Sequence, residues 1–417
     1  MLDRPRGLSA DTGSGAPRTT LGRSYWVYAG LIMLSFAGSI AHVIAMTWLL
    51  LRGAHGPSYV ASAFLLSAIP SIILFRIVRR PVADNRLPTR LSALDVAQAT
   101  LAGAVPLLAW AGVEIPRSGL LVQEFLLSCC GAFVFPLSRA LLVRTAPPGG
   151  EMTANSASAA VFQIGNSLGA LGGGVLVSVL GPYPAMGINA LTFLVSAGGV
   201  GFIVRPVPRD GVAHRNGSAA GLHDEATSMS SARVVGLLIV GTVALLSVQR
   251  LFLGSLGPLV ATQLGGSALM QGGLQLTFTV GGIAGGLIIG RHAVALGTRS
   301  SVRVILLLCA AAFLAVATLS SLPAISVACF LLGLAVSFWS VFQSKLQVWQ
   351  SADQQAGTLA RIGLWQSLVA LGIFAVQALL SVRMAVHLIT GGLGLCLAFA
   401  GLLATGALGR RSTTQGV

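Results

Sequence analysis

The stretch Arg76-Ile77-Val78-Arg79-Arg80-Pro81-Val82-Ala83-Asp84-Asn85-Arg86-Leu87-Pro88-Thr89-Arg90 places five arginines and one aspartate between two strongly apolar runs. One apolar run ends near Val78 and the next starts near Leu91. A segment this polar cannot enter hydrocarbon, where each charged side chain costs several kcal/mol. It must lie at a membrane surface, and the sign of its charge indicates which surface.

The composition agrees. Of 417 residues, 54% are hydrophobic and 9% charged, against about 25% charged in soluble domains. The chain is therefore read as an all-α integral membrane protein. Its net charge of +15 does not point to nucleic acid, because the basic residues are dispersed in short loops with no folded basic face to carry them. The positive-inside rule accounts for them. The five cysteines (Cys129, Cys130, Cys309, Cys329 and Cys396) all lie in apolar runs, where cysteine behaves as a small hydrophobe. No metal-ligand spacing and no disulfide framework is implied. The first 25 residues are polar and contain arginine. The apolar run after them is too long for a signal-peptide core and lacks a small-residue cleavage site, so it is read as a membrane helix that stays.

Twelve segments are long and apolar enough to span, given the roughly 20 residues needed. The first six run near 26–51, 58–78, 91–113, 118–143, 155–180 and 182–204. The second six run near 234–264, 268–296, 302–322, 323–348, 357–382 and 385–408. The chain thus divides into an amino-terminal tail 1–25, a six-helix bundle 26–204, a polar linker 205–233, a second bundle 234–408 and a carboxy-terminal tail 409–417. Of the 26 basic residues, 22 fall at one face, only Arg52, Arg117 and Arg383 at the other, and Arg250 within a span. The face with 22 is expected to be cytoplasmic, with both termini and the linker. A single lysine among the 26 is the composition associated with high-GC bacteria, so a bacterial cytoplasmic membrane is expected.

The halves are nearly equal, 179 and 175 residues. Ser167-Leu168-Gly169-Ala170-Leu171-Gly172 in the fifth segment recurs as Ser367-Leu368-Val369-Ala370-Leu371-Gly372 in the eleventh. Such internal duplication is the usual build of a secondary transporter.

With these elements placed, the chain resembles the major facilitator superfamily. That family carries a signature G-x-x-x-D-R-x-G-R-R between its second and third helices. The matching loop here is Arg80 to Arg90, where Asp84 and Arg90 fit, Arg86 is shifted by one, and Arg80, Asn85 and Leu87 depart. A second copy, Gly286 to Arg299, keeps Gly290, Arg291, Gly297 and Arg299, with Val294 at the acidic position. Phe133-Val134-Phe135-Pro136-Leu137-Ser138-Arg139-Ala140-Leu141-Leu142-Val143-Arg144, continuing through Pro147 to Ala154-Asn155, is similar to a pattern of the enterobactin-exporter-like branch of bacterial drug and siderophore exporters. The resemblance implies two six-helix bundles that rock around a midplane cavity. It also implies a cytoplasmic gate of Asp84, Arg86, Arg90, Arg139 and Arg144, and helices five and eight meeting between the halves.

Several residues stand out by chemistry. Arg250, beside Gln249, sits within the seventh segment, where an arginine costs about 2.5–3.5 kcal/mol by insertion scales and must face water or a partner. It is a candidate anchor for an anionic or carbonyl-rich substrate, or a structural ion pair. Glu124 and Asp95 are among the few acids within spans and are candidates for proton coupling. The competing readings are pairing of Glu124 with Arg117 and a helix-terminus role for Asp95. His42 is read as a proton relay or a packing residue. Met46, Trp339, Phe342 and Gln343 are cavity candidates or simple packing. Gly165, Gly169 and Gly173 repeat every four residues, as do Gly282, Gly286 and Gly290. Small residues at that spacing let helices approach closely, and these six are expected at the interface between the halves.

No phosphate-binding loop and no catalytic motif occurs. The expectation is a monomeric, cofactor-free transporter contacting membrane lipid and a small-molecule substrate. It would export an amphipathic or drug-like molecule by alternating access with proton coupling. A nutrient or siderophore importer and a non-transporting scaffold are the open alternatives.

Overall fold

The computed structural model describes residues 21–78, 86–147, 151–202, 225–292, 298–319, 321–339, 342 and 352–410. Among the described residues, twelve helices carry the fold. The first half contains α1 (Arg23–Leu50), α2 (Gly56–Ile73, extended by a one-turn helix Phe75–Val78), α3 (Leu87–Trp110), α4 (Arg117–Arg144), α5 (Glu151–Val179) and α6 (Pro182–Phe202). The second contains α7 (Glu225–Gln263), α8 (Ala268–His292), α9 (Thr298–Thr318), α10 (Leu322–Val336), α11 (Ala352–Leu380) and α12 (Val386–Arg410). Among the described residues, ten helices are long and apolar enough to cross a membrane, and α10 is a shorter apolar helix of 15 residues. The fold is that of two six-helix bundles.

Local chemistry sets the ends. Proline opens α2, α3 and α10 in the first helical turn, where its missing N–H costs nothing. Gly181 and Gly265 follow α5 and α7 with φ of 90° and 58°, the left-handed conformation in which glycine ends a helix without a Cβ clash. Two boundaries differ from the sequence expectation. The helix α7 begins at Glu225 rather than near 234, because 225–233 contains neither glycine nor proline to stop it. The run expected over 323–348 is regular helix to Val336, turns at Ser337 and is helical again at Phe338, Trp339 and Phe342, with the remainder of the run outside the described residues.

The packing repeats. Within the first half α1 packs on α5 and α6, α2 on α4, and α3 on α4 and α6. Adding six to each number gives the pairs of the second half: α7 with α11 and α12, α8 with α10, and α9 with α10 and α12. Between the halves α2 packs on α11 and α5 on α8, which are the same pair exchanged. This is the contact pattern of two copies of one bundle related by a pseudo-twofold. Exposed Leu107, Leu191, Leu314 and Phe399 lie on α3, α6, α9 and α12, the helices on the flanks of this arrangement, where such surface meets lipid.

The glycine repeat of α5 is corrected by the structure. A Cβ on Gly165 would lie 3.0 Å from the Met33 carbonyl oxygen, one on Gly169 2.8 Å from Ala37 Cα, and one on Gly173 2.6 Å from Ala41 Cα. All three face α1 inside the first half, not α8. Their neighbour Gly174 makes the crossing instead. Its Cβ would lie 3.2 Å from Gly272 Cα and 2.7 Å from the Ala268 carbonyl oxygen. Four-residue spacing marks a small face, but the rotation of the helix decides which partner that face meets. On α8, Gly282 lies near Gln163 of α5 and Gly333 of α10, whereas nothing lies within 4 Å of a Cβ on Gly286. The side-chain surroundings of Gly290 lie outside the described residues.

Candidate functional site

Four helices of the first half, α1, α3, α4 and α6, present polar residues to a common space. Along α1, Tyr28, Ile32, Ser35, Ser39 and His42 follow one another at three- and four-residue steps, which places them on one face. Along α4 the same steps give Glu124, Leu127, Gly131, Phe135 and Ser138. Asp95 and Gln98 come from α3, and Asn189, Phe193 and Ser196 from α6. Together they line a cavity of about 270 Å³, with Phe162 of α5 closing one wall. Small-molecule sites start near 300 Å³, so the cavity is close to that range.

The structure thus brings together three residues that the sequence put on separate spans. His42 is 2% exposed, and neither ring nitrogen has a hydrogen-bond partner. Asp95 is 4% exposed and accepts a hydrogen bond from Ser196 Oγ at 2.7 Å. Glu124 accepts from Ser128 Oγ at 3.5 Å. The pairing of Glu124 with Arg117 is replaced. Arg117 Nη1 donates to the Ala54 carbonyl at 2.7 Å, and its guanidinium lies 4.8 Å from the Tyr59 ring centroid. Among the described residues no lysine or arginine lines the cavity.

Arg139, expected at the gate, turns toward two rings. Its Cζ lies 5.0 Å from the Phe135 centroid and 5.3 Å from that of Phe162, within the range of cation–π attraction. Phe36 meets Phe162 edge-on at 5.4 Å. The three phenylalanines form an aromatic wall at the cavity end nearer the arginine-rich face. Arg86 and Arg90 are exposed at the start of α3, and Arg144 is half-buried in the last turn of α4. Asp84 lies outside the described residues.

The remaining cavity candidates divide. Met46 is buried and lines a second cavity of about 20 Å³ beside the first. Phe342 is fully buried in the core of the second half, against Gly241, and Trp339 packs on the same core. These two are packing residues because the helices of the second half close on them. Gln249 and Arg250 lie half-buried on α7 between the fully buried Val248 and Leu251 and line neither cavity. Gln343 lies outside the described residues. Gln98, Asn189, Ser128 and Ser196 were missed; the signal was present as polar residues at helical spacing within apolar spans.

Among the described residues, contacts joining the halves lie toward the face opposite the arginine-rich one and reach the middle of the helices. Trp48 Nε1 donates to Gln271 Oε1 at 2.8 Å, Ser58 Oγ to the Ala378 carbonyl at 2.7 Å, and the Leu269 amide to Ser178 Oγ at 3.0 Å. Phe64 stacks on Phe374 at 5.3 Å. Deeper, Asn166 Nδ2 donates to Thr279 Oγ1 at 3.4 Å. Trp48→Phe removes the donor to Gln271, which is 3% exposed. An orphaned buried acceptor costs about 1–3 kcal/mol. In a cysteine-free background, a cysteine at Leu51 should react several-fold faster with a membrane-impermeant thiol reagent when Trp48→Phe is added.

The comparisons agree with this architecture. The family model described as Major Facilitator Superfamily matches residues 96–375. No curated protein matches the sequence. Among solved structures, the fold is similar to a bacterial homologue of the human lysosomal transporter Spinster in an inward-facing, unoccupied conformation. That match has a TM-score of 0.63 and 14% identity, covering 95% of this chain and 96% of that one. It is also similar to an auto-inhibited POT family peptide transporter, with a TM-score of 0.67, 13% identity and coverage of 94% and 97%. A bacterial metal transporter matches with a TM-score of 0.63, 16% identity and coverage of 94% and 100%. At such identities the likeness is one of fold. With the family model matching two thirds of the sequence and the duplicated bundles behind it, the chain belongs to the Major Facilitator Superfamily and is a membrane transporter of that type.

Proposed function

We propose that the protein exports a small amphipathic molecule across a bacterial cytoplasmic membrane in exchange for protons. The single observation that carries this reading is the convergence of His42, Asp95 and Glu124 on one cavity that, among the described residues, no lysine or arginine lines. Carboxyl groups placed where no fixed cation neutralises them can exchange a proton for a bound molecule. The aromatic wall of Phe36, Phe135 and Phe162 offers that molecule an apolar surface.

The orientation follows from charge, with the arginine-rich face and both termini cytoplasmic. In that orientation the contacts between the halves, among them Trp48 with Gln271 and Ser58 with Ala378, close the outer end. The cavity then serves the cytoplasmic side, as export requires at the loading step. Gln249 and Arg250 of α7 are the polar positions from which the second half would meet the passing molecule. The span-four pattern around Arg139 and Arg144 favours the exporter branch. The protein works as a monomer without a cofactor.

The test uses everted membrane vesicles and ethidium as the probe. Accumulation of ethidium that is lost when a protonophore collapses the pH gradient is the expected result. Accumulation unaffected by the protonophore would overturn the coupling.

A further inference from the structure

Glu124 belongs to two cavities at once. It lines the larger one with His42 and Asp95, and also the second one of about 20 Å³, whose wall includes Thr47, Met46, Val60 and Phe64. A water molecule needs about 10–15 Å³ of such space and polar partners. The second cavity therefore has room for about one water, with the Thr47 hydroxyl and the Glu124 carboxyl as its polar walls. Thr47 is 4% exposed and lies three residues before the end of α1, roughly 4.5 Å from the outer end of that helix at 1.5 Å per residue. The small cavity thus sits on the outer side of Glu124, while the larger one extends toward the cytoplasmic side as far as Tyr28 and Ser138.

We propose that Glu124 is a proton port fed from the outer face through a single water held against Thr47, and that His42 passes the proton on toward Asp95. This rests on the proton-coupled reading above. A hydronium ion in the small cavity gives its proton to the Glu124 carboxylate and remains as water. The protonated carboxyl then gives the proton to one imidazole nitrogen of His42 as the other nitrogen releases one, and Asp95 receives it by way of water in the larger cavity. The two acids stand at different depths. Asp95 is eight residues into α3 from the cytoplasmic end and Glu124 seven residues into α4 from the outer end, roughly 12 Å and 10 Å along the helix axes. His42 is suited to the middle position because it is buried with both nitrogens unpartnered.

The groups facing this path are few. Tyr28 and His42 come from α1, Asp95 from α3 and Glu124 from α4. Arg139 lies behind Phe135 and Phe162, and Arg117 is turned to Ala54. Among the described residues, the linings from α2, α5 and α6 contain no titratable side chain. At about 20 Å³ the small cavity is too small for the exported molecule but large enough for the water that the port requires.

The experiment needs no substrate. Full-length protein in right-side-out proteoliposomes is followed by infrared spectroscopy of the carboxyl C=O band, with Glu124→Gln identifying the Glu124 component. A drop in external pH should raise that component in the unmodified protein. Thr47→Val, which keeps the shape and removes the hydroxyl, should slow the response at least about tenfold, as a lost coupling of about 1.4 kcal/mol would. Thr47→Ser should restore it and guard against misfolding. A Thr47→Val protein that responds as fast as the unmodified one, or a Glu124 band that follows only internal pH, overturns the port. Loss of ethidium transport with an intact external response would overturn the export reading and leave the port standing.

Discussion

Glu124→Gln is expected to abolish proton-driven ethidium accumulation in everted vesicles while leaving the protein folded and able to equilibrate the dye down its own gradient. The amide is nearly isosteric with the carboxyl, and its oxygen still accepts the hydrogen bond from Ser128 Oγ, so packing of α4 is retained. What is lost is the only titratable group shared by the inner cavity and the small outer one. Removing a positioned proton-transfer group costs about 10²–10⁴ in rate, and a loss of about two orders of magnitude in gradient-driven uptake is the expected scale. Asp95→Asn, measured in parallel, should reduce uptake but preserve the external-pH response of Glu124. Unchanged gradient-driven uptake by Glu124→Gln would remove this residue from the coupling machinery.

Gly174→Leu is expected to be the most damaging change outside the cavity. At this position α5 and α8 cross with almost no space between their backbones. A Cβ on Gly174 would already lie 2.7 Å from the Ala268 carbonyl oxygen, and one on Gly272 would lie 2.5 Å from that of Ala170. Both obstacles are backbone and cannot rotate away. Overpacking of this kind costs about 1–3 kcal/mol. Here that cost falls on the state in which the outer ends of the halves touch, which corresponds to a shift of about 5–150-fold in its population. Spin labels on the outer ends of α5 and α8 should move apart, and transport should fall by about tenfold or more. Leucine at Gly172, whose Cβ position meets nothing within 4 Å, is the control and should leave both readouts near those of the unmodified protein. A Gly174→Leu protein with unaltered label distances would show that this crossing does not limit closure.

Glu124 was visible in the chain as an acid within an apolar span, because carboxylates are too costly in hydrocarbon to occur there without a role. Its geometry was not visible. Whether it met Arg117, seven residues before it on the same helix, or His42 and Asp95 on other helices depended on the rotation of α4, and an all-round apolar helix carries too weak a periodicity to reveal that. The same limit explains the glycines. Gly165, Gly169 and Gly173 were recognisable as a close-packing face, yet their partner proved to be α1, and the crossing between the halves fell to Gly174 and Gly272. Phe342 and Trp339 were plausible cavity residues by type and were claimed by the core of the second half.

By itself the sequence determined the membrane class, the helical spans, the duplication and the charge asymmetry, since these depend on hydrophobicity and electrostatics summed along the chain. The tertiary structure alone decided which faces meet. In a lipid-embedded bundle every helix exterior is apolar, so burial against a neighbour and burial against lipid read alike in sequence. Only packing distinguishes them. It turned the polar stripes of α1, α3, α4 and α6 inward to make one cavity and placed Glu124 on the wall between that cavity and a space for a single water.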